Sequence, residues 1–243
     1  MTGLYPHQSN KAMSFGSKAP FGYQGDIPRD TKFISELLQT RGYSTYHVGK
    51  WHLNNRTTGV EQSWPLGRGF DNSYCIVSQN NFFAPWRMRD EGQMIARPKD
   101  PQQWPQDYYM TTAIGQRSRD YLESHLQNSP NKPFFLYVAH TAPHFPLHAP
   151  QQITDKYLGT YMHGWDEERK RRQATLLQKG IVTTKLPARD EEAVAWESLS
   201  QGEQVEWDSR MAVHSAMIDV VDQEVGRLVS LLRKRGVYED TVI

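Results

Sequence analysis

Apolar residues along this chain recur in two rhythms. Between Asp30 and Thr40, Phe33, Ile34, Leu37 and Leu38 fall at helical spacing. Asp30 or Thr31 can act as N-cap, and Gly42 lies just past the end. After a tight turn, Tyr43–Val48 reads as a strand. Asp107–Leu126 predicts a second helix with Ile114, Tyr121 and Leu122 facing inward. It leads into Phe134–Ala139, a nearly continuous apolar run of the kind found in parallel sheets covered on both faces. From Glu203 to Arg235, residues His214, Met217, Ile218, Val221, Val225, Leu228 and Leu232 keep a spacing of three or four. Gly236 ends that helix, and a strand is expected to begin at Thr241–Ile243. Helix and strand alternate three times, which defines an α/β class with a mainly parallel sheet and flanking helices. The core segments are therefore about 30–53, 107–146 and 203–243. Residues 1–29 read as ordered loop, and 54–106 and 147–202 as loops or insertions.

The 243 residues suffice for one large α/β domain. Lys+Arg 28 against Asp+Glu 27 leaves a formal charge of +1, too balanced for a nucleic-acid surface. The basic run Arg169-Lys170-Arg171-Arg172 directly follows Asp166-Glu167-Glu168 and reads as a solvated helix face. No apolar stretch reaches membrane-spanning length and no signal peptide is visible. The single Cys75 excludes an internal disulfide. Met1-Thr2-Gly3 enters a turn with no strand before it, and the chain stops as a strand begins. It thus reads as an internal piece, incomplete at both ends, of a longer protein.

Two short runs carry the candidate chemistry: Gly49-Lys50-Trp51-His52-Leu53 after the first strand and Ala142-Pro143-His144-Phe145-Pro146 after the second. In an open α/β sheet ligands bind beyond the carboxyl ends of the strands. Lys50, His52 and His144 are therefore expected at one edge, where a cation and two imidazoles suit an anionic, oxygen-rich substrate. If the chain stays extended past Gly49, Lys50 and His52 share a face and Trp51 takes the other. A P-loop is excluded by the missing upstream glycines and by Trp51 in place of Ser or Thr. His140, His144 and His148 are spaced by four, but Pro143, Pro146 and Pro150 forbid the helix that would make them a metal face. His144, between prolines, is expected in a rigid extended loop, while His140 and His148 serve local backbone. Cys75 reads as a buried inert thiol, and Asp219 and Asp222 as charges flanking an apolar stripe. Trp86, Arg87 and Phe82–Phe83 could form an aromatic, anion-reading rim.

The runs from Leu37 to Leu53 closely resemble the second signature of the sulfatase family. Thr2-Gly3-Leu4-Tyr5-Pro6-His7 is similar to the tail of that family's first signature. Gly69-Phe70-Asp71, Pro133–Pro146 and the Asp219–Arg227 helix match further landmarks in order. The resemblance implies an alkaline-phosphatase-like sulfatase core and a hydrolase of sulfate esters. Its nucleophile would be a formylglycine made from Cys or Ser, and a calcium ion would hold the sulfate oxygens. Matched by position, Lys50 would bind the sulfate and the formylglycine hydroxyl. His52 would take a proton during elimination. His144 would contact the sulfate and protonate the leaving alcohol.

The chain departs from the pattern where it matters most. The family's nucleophile motif, Cys or Ser followed by Pro-Ser-Arg, is absent, and Cys75 lacks the Pro and Arg that would let it substitute. The family's two pairs of calcium-binding residues fall upstream and downstream of this segment, so calcium is expected in the full-length enzyme with no ligand assigned here. Partners are a sulfated small molecule or glycan, with Lys50, His144, Trp86 and Arg87 as substrate-binding residues and no nucleic acid or membrane segment. By family analogy the full-length form would be periplasmic or secreted. The rival functions are a phosphodiesterase or phosphonate hydrolase of the same superfamily, and a non-catalytic domain that binds sulfated glycans.

Overall fold

The computed structural model describes residues 1–12, 15, 18–54, 61–77, 79–96 and 105–243, which fall into two compact units. The first comprises Met1–Pro146 and Val221–Ile243. Its elements are α1 (Ile34–Thr40), β1 (Ser44–Lys50), β2 (Asn72–Ile76), β3 (Arg87–Asp90), β4 (Gln93–Ala96), α2 (Met110–Asn128), β5 (Phe134–Ala139) and the last turns of α5. Among the described residues the strands form one sheet in the order β4-β3-β2-β1-β5. β1 runs parallel to both β2 and β5, while β2-β3 and β3-β4 are antiparallel. Glu91 and Gly92, both at positive φ, make the tight β3–β4 turn.

Alternation along the strands divides the core. On one face His47, Cys75, Phe135 and Tyr137 point into a cluster with Ile27, Phe33, Trp51, Trp64 and Phe70. On the other face Tyr46 stacks on Tyr121 and hydrogen-bonds His125 of α2. Phe134 joins Leu122, Leu231 and Leu232 there. Arg68 is almost fully buried. Its guanidinium lies 4.1 Å over the Phe33 ring and donates to the carbonyls of Ile27, Pro28 and Thr31, pinning the segment that precedes α1.

The second unit is Leu147–Val220, with α3 (Gln151–Thr154), α4 (Gly164–Gln178) and the N-terminal part of α5 (Gln201–Lys234). Trp165 contacts both Trp196 and Trp207 edge-on. Buried Asp208 accepts from the backbone N–H groups of Gly159 and Tyr161, each at 2.7 Å. The mixed-charge run lies on α4, with Glu167 paired to Lys170 and Arg171 as a solvated helix face requires.

Several expectations need correction. The first strand extends through Lys50, because Gly49 keeps pairing at φ +112. Among its described residues, 54–106 contains the strands β2, β3 and β4; β2 was hidden because Asn72 and Ser73 make it read polar. Residues 147–202 are a compact unit with its own helices, continued by part of α5. No strand forms at Thr241–Ile243, where Thr241 instead closes a turn on Tyr238 and Val237. β5 has packing on both faces yet stands at an edge of the sheet, partly exposed along its length. α1 starts at Ile34, after Phe33, whose N–H is capped by the Glu36 carboxylate at 2.9 Å. Ile34 and Leu37 face outward, as do Ile218 and Val225 of α5. In α5 the buried positions are Asp208, Ala212, Ala216, Met217, Val220, Glu224, Leu231 and Leu232. Part of the expected stripe is thus out of phase.

Candidate active site

Strand register sets the site. Lys50, the last residue of β1, pairs with Ile76, the last of β2, and Ile76 pairs with Met88 near the start of β3. Gly49 pairs with Ala139, the last residue of β5. The three parallel strands therefore end level. His52 follows β1, Gln79 follows β2, and His140 to His144 follow β5, all issuing from this carboxyl edge. Trp86 and Arg87 belong to the same edge, because the Arg87 carbonyl accepts from Val77 N–H just past β2.

The level ending depends on one glycine. A Cβ on Gly49 would stand 2.1 Å from the Ala139 carbonyl oxygen, so only glycine lets β1 lie this close to β5. Beyond it, Trp51 is buried and its indole N–H donates to the Ser63 carbonyl at 2.9 Å, fixing the chain between half-buried Lys50 and exposed His52. Lys11 donates to the Asn54 carbonyl at 3.0 Å, tying the N-terminal loop to the residue two beyond His52. Asn10 holds that loop together through hydrogen bonds to Gly22, Gln24 and Asp26.

His144 is exposed but not in an extended loop: its N–H bonds the Thr141 carbonyl at 3.1 Å, closing a turn. Both flanking X–Pro bonds are cis. The ring contacts Gln79 and the Phe145 carbonyl. Trp86 is 61% exposed and free to stack, and Arg87 is exposed at the start of β3; Phe82 is fully buried and serves packing. Cys75 is buried in the core cluster, as a packing thiol would be. Asp219 pairs with Lys156 and Tyr157 within the second unit.

Sequence reasoning passed over Glu224, Gln79 and His47, and read His140 only as a backbone partner. His140 has its Nδ1 buried without a partner among the described residues, so that nitrogen does not serve the local backbone. Burial lowers its pKa, and the nearby Glu224 carboxylate opposes that shift. Glu224 itself is fully buried, bonded to Arg119 at 2.5 Å and also to Arg227, and a Cβ on Gly115 would collide with it. Gln79 carried no motif, and only its contact with His144 reveals it. His47, one turn of the pleat before the motif, is wholly buried with its pKa pushed down to about 3 by burial.

The arrangement offers a cation, imidazoles that can carry protons, and neutral amide and hydroxyl groups. Oxygen-liganding calcium is a poor fit to that donor set, since an ammonium and imidazoles replace the carboxylates it prefers. Among the described residues no group of three or more His, Cys, Asp or Glu could hold a metal ion.

A family profile described as Sulfatase matches residues 1–243. The chain is 28% identical over 236 residues to an uncharacterised sulfatase of Schizosaccharomyces pombe, covering 91% of this chain and 41% of that protein. It is 26% identical over 229 residues to an arylsulfatase of Klebsiella aerogenes, covering 91% and 48%. The crystal structure of Ps i-CgsB in complex with k-i-k-neocarrahexaose superposes with a TM-score of 0.62 at 21% identity, covering 98% of this chain and 44% of that one. The fold is thus that of the sulfatases, an alkaline-phosphatase-like α/β core. The chain belongs to the sulfatase family, whose named members are hydrolases of sulfate esters. It spans less than half the length of the two relatives named.

Proposed function

We propose that this chain supplies one flank of a sulfuric ester hydrolase acting on sulfated carbohydrates. The observation that carries the reading is the level ending of β1 and β5, which sends Lys50, His52 and His144 from adjacent strands to one edge of a sulfatase fold. Lys50 holds the sulfate oxygens, whose charge persists through transfer. The nucleophile is a formylglycine outside residues 1–243; its hydrate forms the new S–O bond as the bond to the leaving alcohol breaks. His144 delivers a proton to the departing oxygen. His52 then takes a proton from the remaining formylglycine hydroxyl as sulfate is eliminated and the aldehyde returns. Calcium belongs to the family expectation, but the described donors do not fit it and no step is assigned to it. Trp86 and Arg87 form the rim, the indole stacking on a sugar face and the guanidinium reading an anionic group. The neocarrahexaose complex of the structural neighbour supports a carbohydrate substrate.

The test uses the full-length protein. Losing a positioned acid costs about 10²–10⁴-fold in rate, but an aryl oxide leaves with little help. His144→Ala should therefore slow a sulfated sugar far more than an aryl sulfate. Equal losses would remove His144 from the acid role. Higher kcat/KM on phosphate diesters than on sulfate esters would favour the phosphodiesterase reading, since Lys50 and His52 suit either anion.

A further inference from the structure

Charge in the second unit is sorted into blocks. Between Arg169 and Arg189 stand seven cations and no Asp or Glu. Acidic triplets bound this stretch on both sides, Asp166-Glu167-Glu168 before it and Asp190-Glu191-Glu192 after it. On an ordinary solvated helix face the two signs alternate. Here the anions stop at Glu168, and the rest of α4 carries one sign only.

Folding keeps the blocks apart. After α4 the chain turns at Gly180, and the Ile181 N–H donates to the Leu176 carbonyl. The following segment then runs back along the helix. Gln173 donates to the Thr184 carbonyl, Arg169 to that of Pro187 and Trp165 to that of Val194. Arg189 meets Asp166 at 3.2 Å. Both acidic triplets are thereby gathered at the N-terminal end of α4, where negative charge suits the helix dipole. The cations occupy the remainder. Lys170 and Arg171 share Glu167, exposed pairs of the kind that contribute little and exchange readily. Arg172, Lys179 and Lys185 are exposed, and among the described residues no ion pair reaches them. Arg172 and Lys179 lie seven positions apart, two turns along one side of the helix. The return segment brings Lys185 alongside, next to the residue that Gln173 holds. From Arg169 to Lys179 this surface runs about 15 Å.

We propose that α4 and its return segment form a binding surface for sulfated polysaccharide, with Arg172, Lys179 and Lys185 as its principal contacts. Like charges held side by side repel. A polyanion laid along them removes that cost and releases its own counterions, a gain that needs no enclosed pocket. The choice of polyanion rests on the function proposed above, which makes sulfated sugars the anions this protein handles. The neutral side chains among the cations favour the same class. Exposed Ala174, Thr175 and Gln178 offer a polar surface to a hydrophilic chain, while the exposed large apolar groups, Leu177, Ile181 and Leu186, come only towards the far end. A lipid surface would call for an apolar stripe along the helix.

The experiment titrates the full-length protein with heparin, a soluble sulfated probe, at several salt concentrations. The comparison is the triple variant Arg172→Ala, Lys179→Ala, Lys185→Ala. All three side chains are exposed, so it should fold, and circular dichroism verifies this. With the attraction of one Lys or Arg to an anionic surface as the guide, the variant should bind about 10²-fold more weakly and with a shallower salt dependence. A second variant that keeps the charges, Arg172→Lys, Lys179→Arg, Lys185→Arg, should bind as the wild type does. Neither should change kcat/KM on a small aryl sulfate, because none of these residues belongs to the proposed catalytic set. Unchanged heparin affinity in the alanine variant, lost affinity in the charge-keeping one, or a fall in aryl sulfate turnover matching the loss of binding would overturn the proposal. So would equal binding of desulfated heparin, or tighter binding to phosphatidylserine–phosphatidylcholine vesicles or duplex DNA at equal charge concentration. A wild type that binds heparin through these residues yet hydrolyses no sulfate ester would sink the proposed function and leave the binding surface standing.

Discussion

His47 should make this protein acid-labile. It sits on β1 with no exposed surface, its Nδ1 3.1 Å from the Ser73 hydroxyl and its ring enclosed by Trp51, Phe70 and Tyr137. Nε2 is buried without a hydrogen-bond partner among the described residues, so a proton arriving there would bring a poorly compensated charge. Burial lowers the pKa from 6.5 to about 3; a backbone contact with Lys50 opposes this weakly. The unfolded chain therefore takes up this proton before the folded one as pH falls. The stabilisation is fully present above about pH 6.5 and is lost progressively as pH drops towards the folded value. A gap of roughly 3.5 units corresponds to about 5 kcal/mol over the whole range, of which about 2 kcal/mol is gone by pH 5. Urea unfolding followed by tryptophan fluorescence suits the measurement, since Trp51 lies 5.1 Å from the His47 ring. His47→Asn keeps a polar group towards Ser73 with nothing to titrate. It should be less stable at pH 8, yet lose about 2 kcal/mol less than the wild type between pH 8 and pH 5. Parallel pH dependences in the two proteins would refute the argument. Half-buried His140 is also shifted down, but it is present in both proteins and cancels in the comparison.

Other outcomes follow from close packing. Gly49→Ala combines a φ of +112 with a Cβ 2.1 Å from the Ala139 oxygen, and should cost at least about 3 kcal/mol and separate β1 from β5; thermal melts would show it, and an unchanged Tm would contradict the register. Glu224→Gln should destabilise by about 2–3 kcal/mol, because Arg119 is left only 16% exposed without its carboxylate, with Arg227 more exposed beside it. Asp208→Asn should release the Gly159–Tyr161 segment, seen as faster amide exchange confined to the second unit. Gly164→Ala, which would drive a Cβ to 2.1 Å from the Trp196 ring, should disturb the tryptophan cluster and shift its fluorescence.

Local pattern alone determined much of the molecule. The spacing in Met110–Asn128 and Gln201–Lys234 marked both long helices, the apolar run marked β5, and the resemblance carried by Gly49–Leu53 and Ala142–Pro146 pointed to the sulfatase family. These signals are legible because they come from residues near one another in the chain, where period and turn chemistry act directly. What tertiary structure decided is pairing. β2 reads as polar because Asn72 and Ser73 open it, yet it is the strand that joins β1 to the β3–β4 hairpin. Which side of α5 is buried depended on its neighbours, and placed Glu224 inside while Ile218 and Val225 stayed out. The contact of Gln79 with His144 spans 65 positions, and no local rule connects two such residues. It exists because β1, β2 and β5 end level, and that level is set by hydrogen-bond register across the sheet, a property of three strands together and of none of them singly.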